Sequence, residues 1–118
     1  MNTESIIINE KDYLVKFGFG ANRVLAKKWG LKTLSEIGNK INKQLNFKEN
    51  QEPTFEQFET IGELVLSGIL NYTPEAKVKT DDVVDALLQD IPLLQRLVQL
   101  YIDSMPKGDE SKNVEPGK

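Results

Sequence analysis

The stretch that most limits what this chain can fold into is Thr54 to Leu70, TFEQFETIGELVLSGIL. Phe55, Phe58, Ile61, Gly62, Val65, Leu66 and Ile69 recur at helical spacing and define one broad face. Glu56, Glu59 and Glu63 fall on the opposite arc, where an exposed acidic stripe is expected. Thr54 with Gln57 forms a capping-box start, and Pro53 stops any earlier helix from running in. Leu64 points away from the main face, so cover on more than one side is expected. Gly62 costs about 1 kcal/mol of helix propensity against Ala, a cost that close approach of a neighbouring helix would explain. The segment reads as the central helix of the fold.

Around it, 118 residues suffice for one domain with a single core, expected over residues 1–105. Hydrophobic residues at 39% and charged residues at 28% describe a soluble globular chain. No apolar run approaches the roughly 20 residues that span a bilayer, and no basic segment precedes Ile6-Ile7-Ile8 as a secretory signal requires. The chain has neither Cys nor His. That removes disulfides, thiol nucleophiles, His-based triads, imidazole acid–base chemistry and the usual zinc sites. A cytosolic protein with no catalytic residue, metal or cofactor is expected.

Elements on either side follow from local signals. Ser5 to Asn9 and Tyr13 to Phe17 read as a β-hairpin around a polar turn at Glu10-Lys11-Asp12. A lone hairpin is marginal in water, so it must lie on the helices, and its free edge is a possible self-association surface. Gly18-Phe19-Gly20 breaks the strand, and Ala21 to Trp29 reads as a helix ended by Gly30. Phe19, Ala26 and Trp29 lie near one another on it, while Arg23 and Lys27 share the other face. Thr33 and Glu36 open a second helix with a narrow stripe of Leu34, Ile37, Ile41 and Leu45. Asn46 to Pro53 is a connection. After the central helix, Thr80-Asp81-Asp82 opens another, with Val83, Val84, Leu87 and Leu88 inward. Asp90 caps the last, which has Pro92 in its first turn and runs to about Met105. Residues 106–118 are Gly, Pro and charge-rich and read as a disordered tail. The expected fold is mainly α, a short N-terminal β-hairpin followed by about five packed helices.

Charge is unevenly distributed. Residues 1–50 hold nine Lys and Arg against five Asp and Glu, a balance of +4, whereas residues 51–105 hold three against ten, a balance of −7. Two solvated faces account for this, and so does electrostatic complementarity within one molecule or head to tail between copies. Gly18-Phe19-Gly20 lacks the following Gly-Lys-Ser/Thr of a phosphate loop and reads as a tight turn. Asp81, Asp82 and Asp85 lack the spacing of a calcium loop, and the helix dipole alone favours acids there. Arg23, Lys27, Lys28, Lys32, Lys40 and Lys43 carry no interleaved aromatic platform, which disfavours nucleic acid as a partner. The last helix is the better clue. Leu94, Leu97, Val98, Tyr101 and Ile102 suffice to dock it, and Leu93 and Leu100 widen the apolar arc beyond one core contact. Such width places it either between two layers or against a partner helix.

A strand pair ending in KFGFGANRVLAKKWG (16–30), a small second helix, a central helix with LVLSGILN (64–71) and an acidic TDDVVDALL helix (80–88) before a leucine-rich last helix make up this order. Together they resemble the tail assembly chaperones of long-tailed bacteriophages and prophages. Phe17-Gly18-Phe19, Lys27-Lys28-Trp29-Gly30 and Gly68-Ile69-Leu70 carry most of the resemblance, which covers nearly all of residues 5–105. It implies a non-enzymatic protein of the bacterial host cytoplasm that binds the tape measure protein, promotes tube polymerisation around it and is absent from the mature virion. Many members also occur as a longer frameshifted form whose extension recruits tail tube protein. On this reading Leu93, Leu97, Leu100 and Tyr101 supply apolar contact to the client. Arg23 and Lys27, or Glu56, Glu59 and Glu63, supply charged contacts between copies. The competing readings are a small helical nucleic-acid-associated regulator and a structural tail-completion subunit.

Overall fold

A computed structural model describes residues 3–45 and 52–105, so the tail expected to be disordered and most of the Asn46–Pro53 connection lie outside the described residues. The architecture is an antiparallel hairpin, β1 (Thr3–Ile8) and β2 (Lys11–Lys16), followed by α1 (Phe19–Trp29), α2 (Leu34–Gln44), α3 (Phe55–Tyr72), α4 (Thr80–Leu88) and α5 (Ile91–Ser104). The mainly α reading with an N-terminal hairpin and five helices is what the structure shows.

The central helix is α3, and β2 and the other four helices all pack on it. Thr54 accepts from the Gln57 amide and Gln57 closes the reciprocal bond, so the expected capping box forms. Ile61, Leu64, Val65, Leu66 and Ile69 are buried on several sides of the helix, because different elements cover it. On one side Gly62 lets α4 approach so closely that a Cβ there would lie 2.6 Å from Val84 Cγ2. On another, Gly68 sits beneath the hairpin, and its Cβ would lie 2.5 Å from Val15 Cγ1. The helix-propensity cost of Gly62 is thus offset by an inter-helix approach no side chain permits.

The hairpin turn differs from expectation. Asn9 and Glu10 form it, with φ of 53° and 69°, while Lys11 and Asp12 belong to β2. Two successive left-handed residues match the right-handed twist of the flanking strands. Asn tolerates that conformation, but Glu carries no such signal. The register sets Ile6 opposite Tyr13 and Ile8 opposite Lys11, so Ile6, Ile8 and Val15 face the helices while Ile7 and Leu14 face outward. Gly18, at φ 140°, then turns the chain so that α1 begins at Phe19 rather than Ala21.

Thr33 and Glu36 form the second capping box, Gly30 closes α1 in the left-handed conformation, and the Asp90 side chain accepts from the Leu93 amide at the start of α5. Inward assignments fail at Leu34, Leu88 and Phe55, with Leu34 38% exposed in the first turn of α2. Leu88 is 47% exposed because α4 ends there, and Phe55 is 89% exposed because burial on α3 begins only at Thr60.

Gly62→Ala is expected to destabilise the fold by about 1–3 kcal/mol through overpacking. Gly38→Ala, in α2 with open space at its Cβ position, is expected to stabilise it by about 0.5–1 kcal/mol. Urea unfolding of the two variants checks both signs.

Candidate protein-interaction surfaces

The α5 helix docks through one seam. Leu93, Leu97 and Tyr101, spaced at i, i+4 and i+8, are buried, with Leu97 fully inaccessible. The Tyr101 ring meets Phe17 edge-on with centroids 5.3 Å apart, and its hydroxyl donates to Asn22 Oδ1 at 2.6 Å. Asn22, itself buried, donates from Nδ2 to Met105 Sδ at 3.5 Å. Burial pushes the Tyr101 phenol well above its ordinary pKa of 10.0. Leu93, Leu97 and Tyr101 are therefore core rather than client-binding residues, and Leu100 is half-buried against the same core.

The wide apolar arc on α5 exists, and Leu97 and Tyr101 dock it as expected, but Leu93 turns inward and Ile102 outward, the reverse of the expectation. At about 3.6 residues per turn, Ile91, Leu94, Val98 and Ile102 form a second stripe beside the seam. Ile91 and Ile102 are exposed, and Leu94 and Val98 are half-buried. Periodicity measures the width of such an arc; which edge turns inward depends on how the α4–α5 turn sets the helix down. The exposed Leu88 precedes this stripe at the end of α4.

The three glutamates expected as one solvent stripe have three different surroundings. Glu63 is half-buried and accepts from Trp29 Nε1 at 2.5 Å, fastening α3 to α1. Lys40 lies over the same indole at 5.0 Å. Glu56 is exposed and accepts from Gln44 Nε2 at 3.3 Å. Glu59 opens onto a cleft between α3 and α4, lined with it by Phe55, Phe58, Asp81, Val84 and Asp85. Glu63 is thus withdrawn from partner contact, while Glu59 joins acids that lie more than twenty positions away in sequence.

Arg23 and Lys27 are exposed on α1, as expected. Arg23 sits over the Phe19 ring at 5.6 Å, and both border a cleft between α1 and α2 that Ala26, Leu34 and Ile37 line. Phe19 is 68% exposed. Its prominence, like that of Phe55, escaped periodicity. Each is the first residue of its helix, directly after the cap residue. Among the described residues the one ion pair is Arg96 with Glu4, at 3.1 Å. No three acid side chains among those residues gather closely enough to hold a metal ion, and no helix is long and apolar enough to cross a membrane.

Comparison with known proteins finds no matching family model, no similar curated protein and no similar solved structure.

Tyr101→Phe is expected to cost about 1–3 kcal/mol by leaving Asn22 Oδ1 buried and unpaired. The phenol's raised pKa means that the unfolded chain releases this proton first. Stability from this group is therefore complete below pH 10.0 and declines as pH rises above it. The Phe variant lacks that alkaline component, which urea unfolding on either side of this pH reads directly.

Proposed function

We propose that this protein is a tail assembly chaperone of a long-tailed bacteriophage or prophage, acting without chemistry by covering the helices of a tape measure protein in the host cytoplasm. The observation that carries the reading is the second apolar stripe on α5, in which Ile91, Leu94, Val98 and Ile102 follow at i, i+3, i+7 and i+11. This is the spacing by which one helix receives the apolar face of another. The buried seam holds α5 on the core with Leu94 and Val98 packed beside it, and Ile91 and Ile102 at the two ends of the stripe remain exposed without unfolding the domain.

Further support comes from what the chain can and cannot supply. Without His or Cys it lacks the commonest acid–base and nucleophilic groups. A client-covering role needs only exposed apolar side chains on a rigid frame and several weak contacts acting together. The order of elements along the chain, from the hairpin through KFGFGANRVLAKKWG to the leucine-rich α5, adds the resemblance to that family. Exclusion from the finished virion and recruitment of tube protein by a longer form belong to the same proposal.

The test is co-expression with the tape measure protein encoded beside this gene, followed by size exclusion with light scattering. A soluble complex holding several copies per client is expected. Ile91→Ser with Ile102→Ser is expected to keep the fold and weaken client binding by at least about a hundredfold, since each buried apolar side chain contributes about 1.5–3 kcal/mol. A client that stays insoluble while this protein elutes alone overturns the reading.

A further inference from the structure

Two surfaces of the molecule are opposite in charge, and each carries an exposed aromatic ring. The α3–α4 cleft presents Phe55, at 89% exposure, and Phe58 beside the carboxylates of Glu59, Asp81 and Asp85. The start of α1 presents Phe19, at 68% exposure, beneath the Arg23 guanidinium, with Lys27 one turn further along the same face. Among the described residues none of these five charged side chains has an ion-pair partner. The two surfaces share no residue and are built from different helices. We propose that copies of this chain associate head to tail, the Phe19–Arg23 unit of one copy docking in the α3–α4 cleft of the next.

In that contact the Phe19 ring covers Phe55, removing from water the two most exposed aromatic rings among the large hydrophobic residues described. A planar guanidinium already held against a ring presents its donors edge-on, the arrangement that suits carboxylate pairs, and three carboxylates lie at the cleft to accept. A second copy fits better than an unrelated basic peptide, because the complementary halves reside in one chain and meet at equal concentration. The +4 and −7 balances of its two halves run the same way. Joining unlike surfaces is heterologous, so each added copy leaves one unit and one cleft free, and the assembly grows until it closes or stays open. The charges are at the surface, so the contact weakens with salt. It requires no client, so its test is separate from that of client binding.

Light scattering and sedimentation equilibrium of the full chain over a range of concentrations test this. Wild type is expected to grow beyond the monomer with concentration at low salt, and to associate roughly tenfold more weakly at high salt. Phe19→Ser with Arg23→Ser removes the unit and leaves the cleft. Phe55→Ser with Asp85→Ser does the reverse. All four positions are exposed, and each variant alone is expected to be monomeric with unchanged circular dichroism. Mixed in equal amounts, the two are expected to form a one-to-one dimer and nothing longer, because a single complete unit meets a single complete cleft. Wild type that stays monomeric at low salt, association that survives in either variant, or a mixture that fails to pair overturns the proposal.

Discussion

The contacts at Gly62 and Gly68 are what the remainder of the structure depends on. Through the first, α4 lies against the backbone of α3, and through the second, the hairpin does the same from another direction. A side chain at either position would push its neighbour outward. Val84 and Val15 would then lose van der Waals contacts that fall off steeply with separation. The buried residues Ile61, Leu64, Val65 and Ile69, beside and between these glycines, form one continuous core with Leu25, Val83, Leu87 and Leu97. The two buried hydroxyls of α3 in that region are satisfied within the helix itself. Thr60 donates to the Glu56 carbonyl and Ser67 to the Leu64 carbonyl. A helix that settles its own polar groups can be surrounded by apolar neighbours without an unpaired donor.

What was legible in the sequence was mostly local. Capping boxes at Thr33 and Thr54, the left-handed Gly30 and the Asp90 cap involve residues within a turn of one another, and each formed where its pattern stood. Gly62 was informative because a glycine inside an apolar helical face has few explanations other than close approach. Features decided at long range were hidden. Whether Leu93 or Leu94 turns inward depends on the placement of α5 against α1 and α3, settled partly by the bond from Tyr101 to Asn22 across 79 positions. The α3–α4 cleft escaped notice for the same reason, since Glu59 and Asp85 meet only once α4 has folded back. The turn at Asn9-Glu10 was missed for a different reason, because the residue following Asn is a glutamate where a hairpin of this kind most often has glycine.

Trp29 shows how a polar link can join elements without being a site. Its indole donates to Glu63 on α3 and carries Lys40 from α2 on its face. Three helices thereby converge on one half-buried ring. The carboxylate that appears in sequence as part of a solvent stripe is used to align α1. Of the acids that remain at the surface, Glu59, Asp81 and Asp85 gather beside Phe55.

The placement of the hairpin bears on when this protein can acquire structure during synthesis. Val15 and Phe17 rest on Gly68, more than fifty positions further along the chain. As the chain leaves the ribosome, the hairpin, α1 and α2 emerge with their apolar faces uncovered, and no half of the molecule contains a core that could close around them. Only when α3 has emerged can any of these elements find its place, and the Tyr101 seam arrives later still. Folding of these elements is therefore tied to the emergence of α3, and until then Ile6, Ile8 and Leu25 await a helix not yet made.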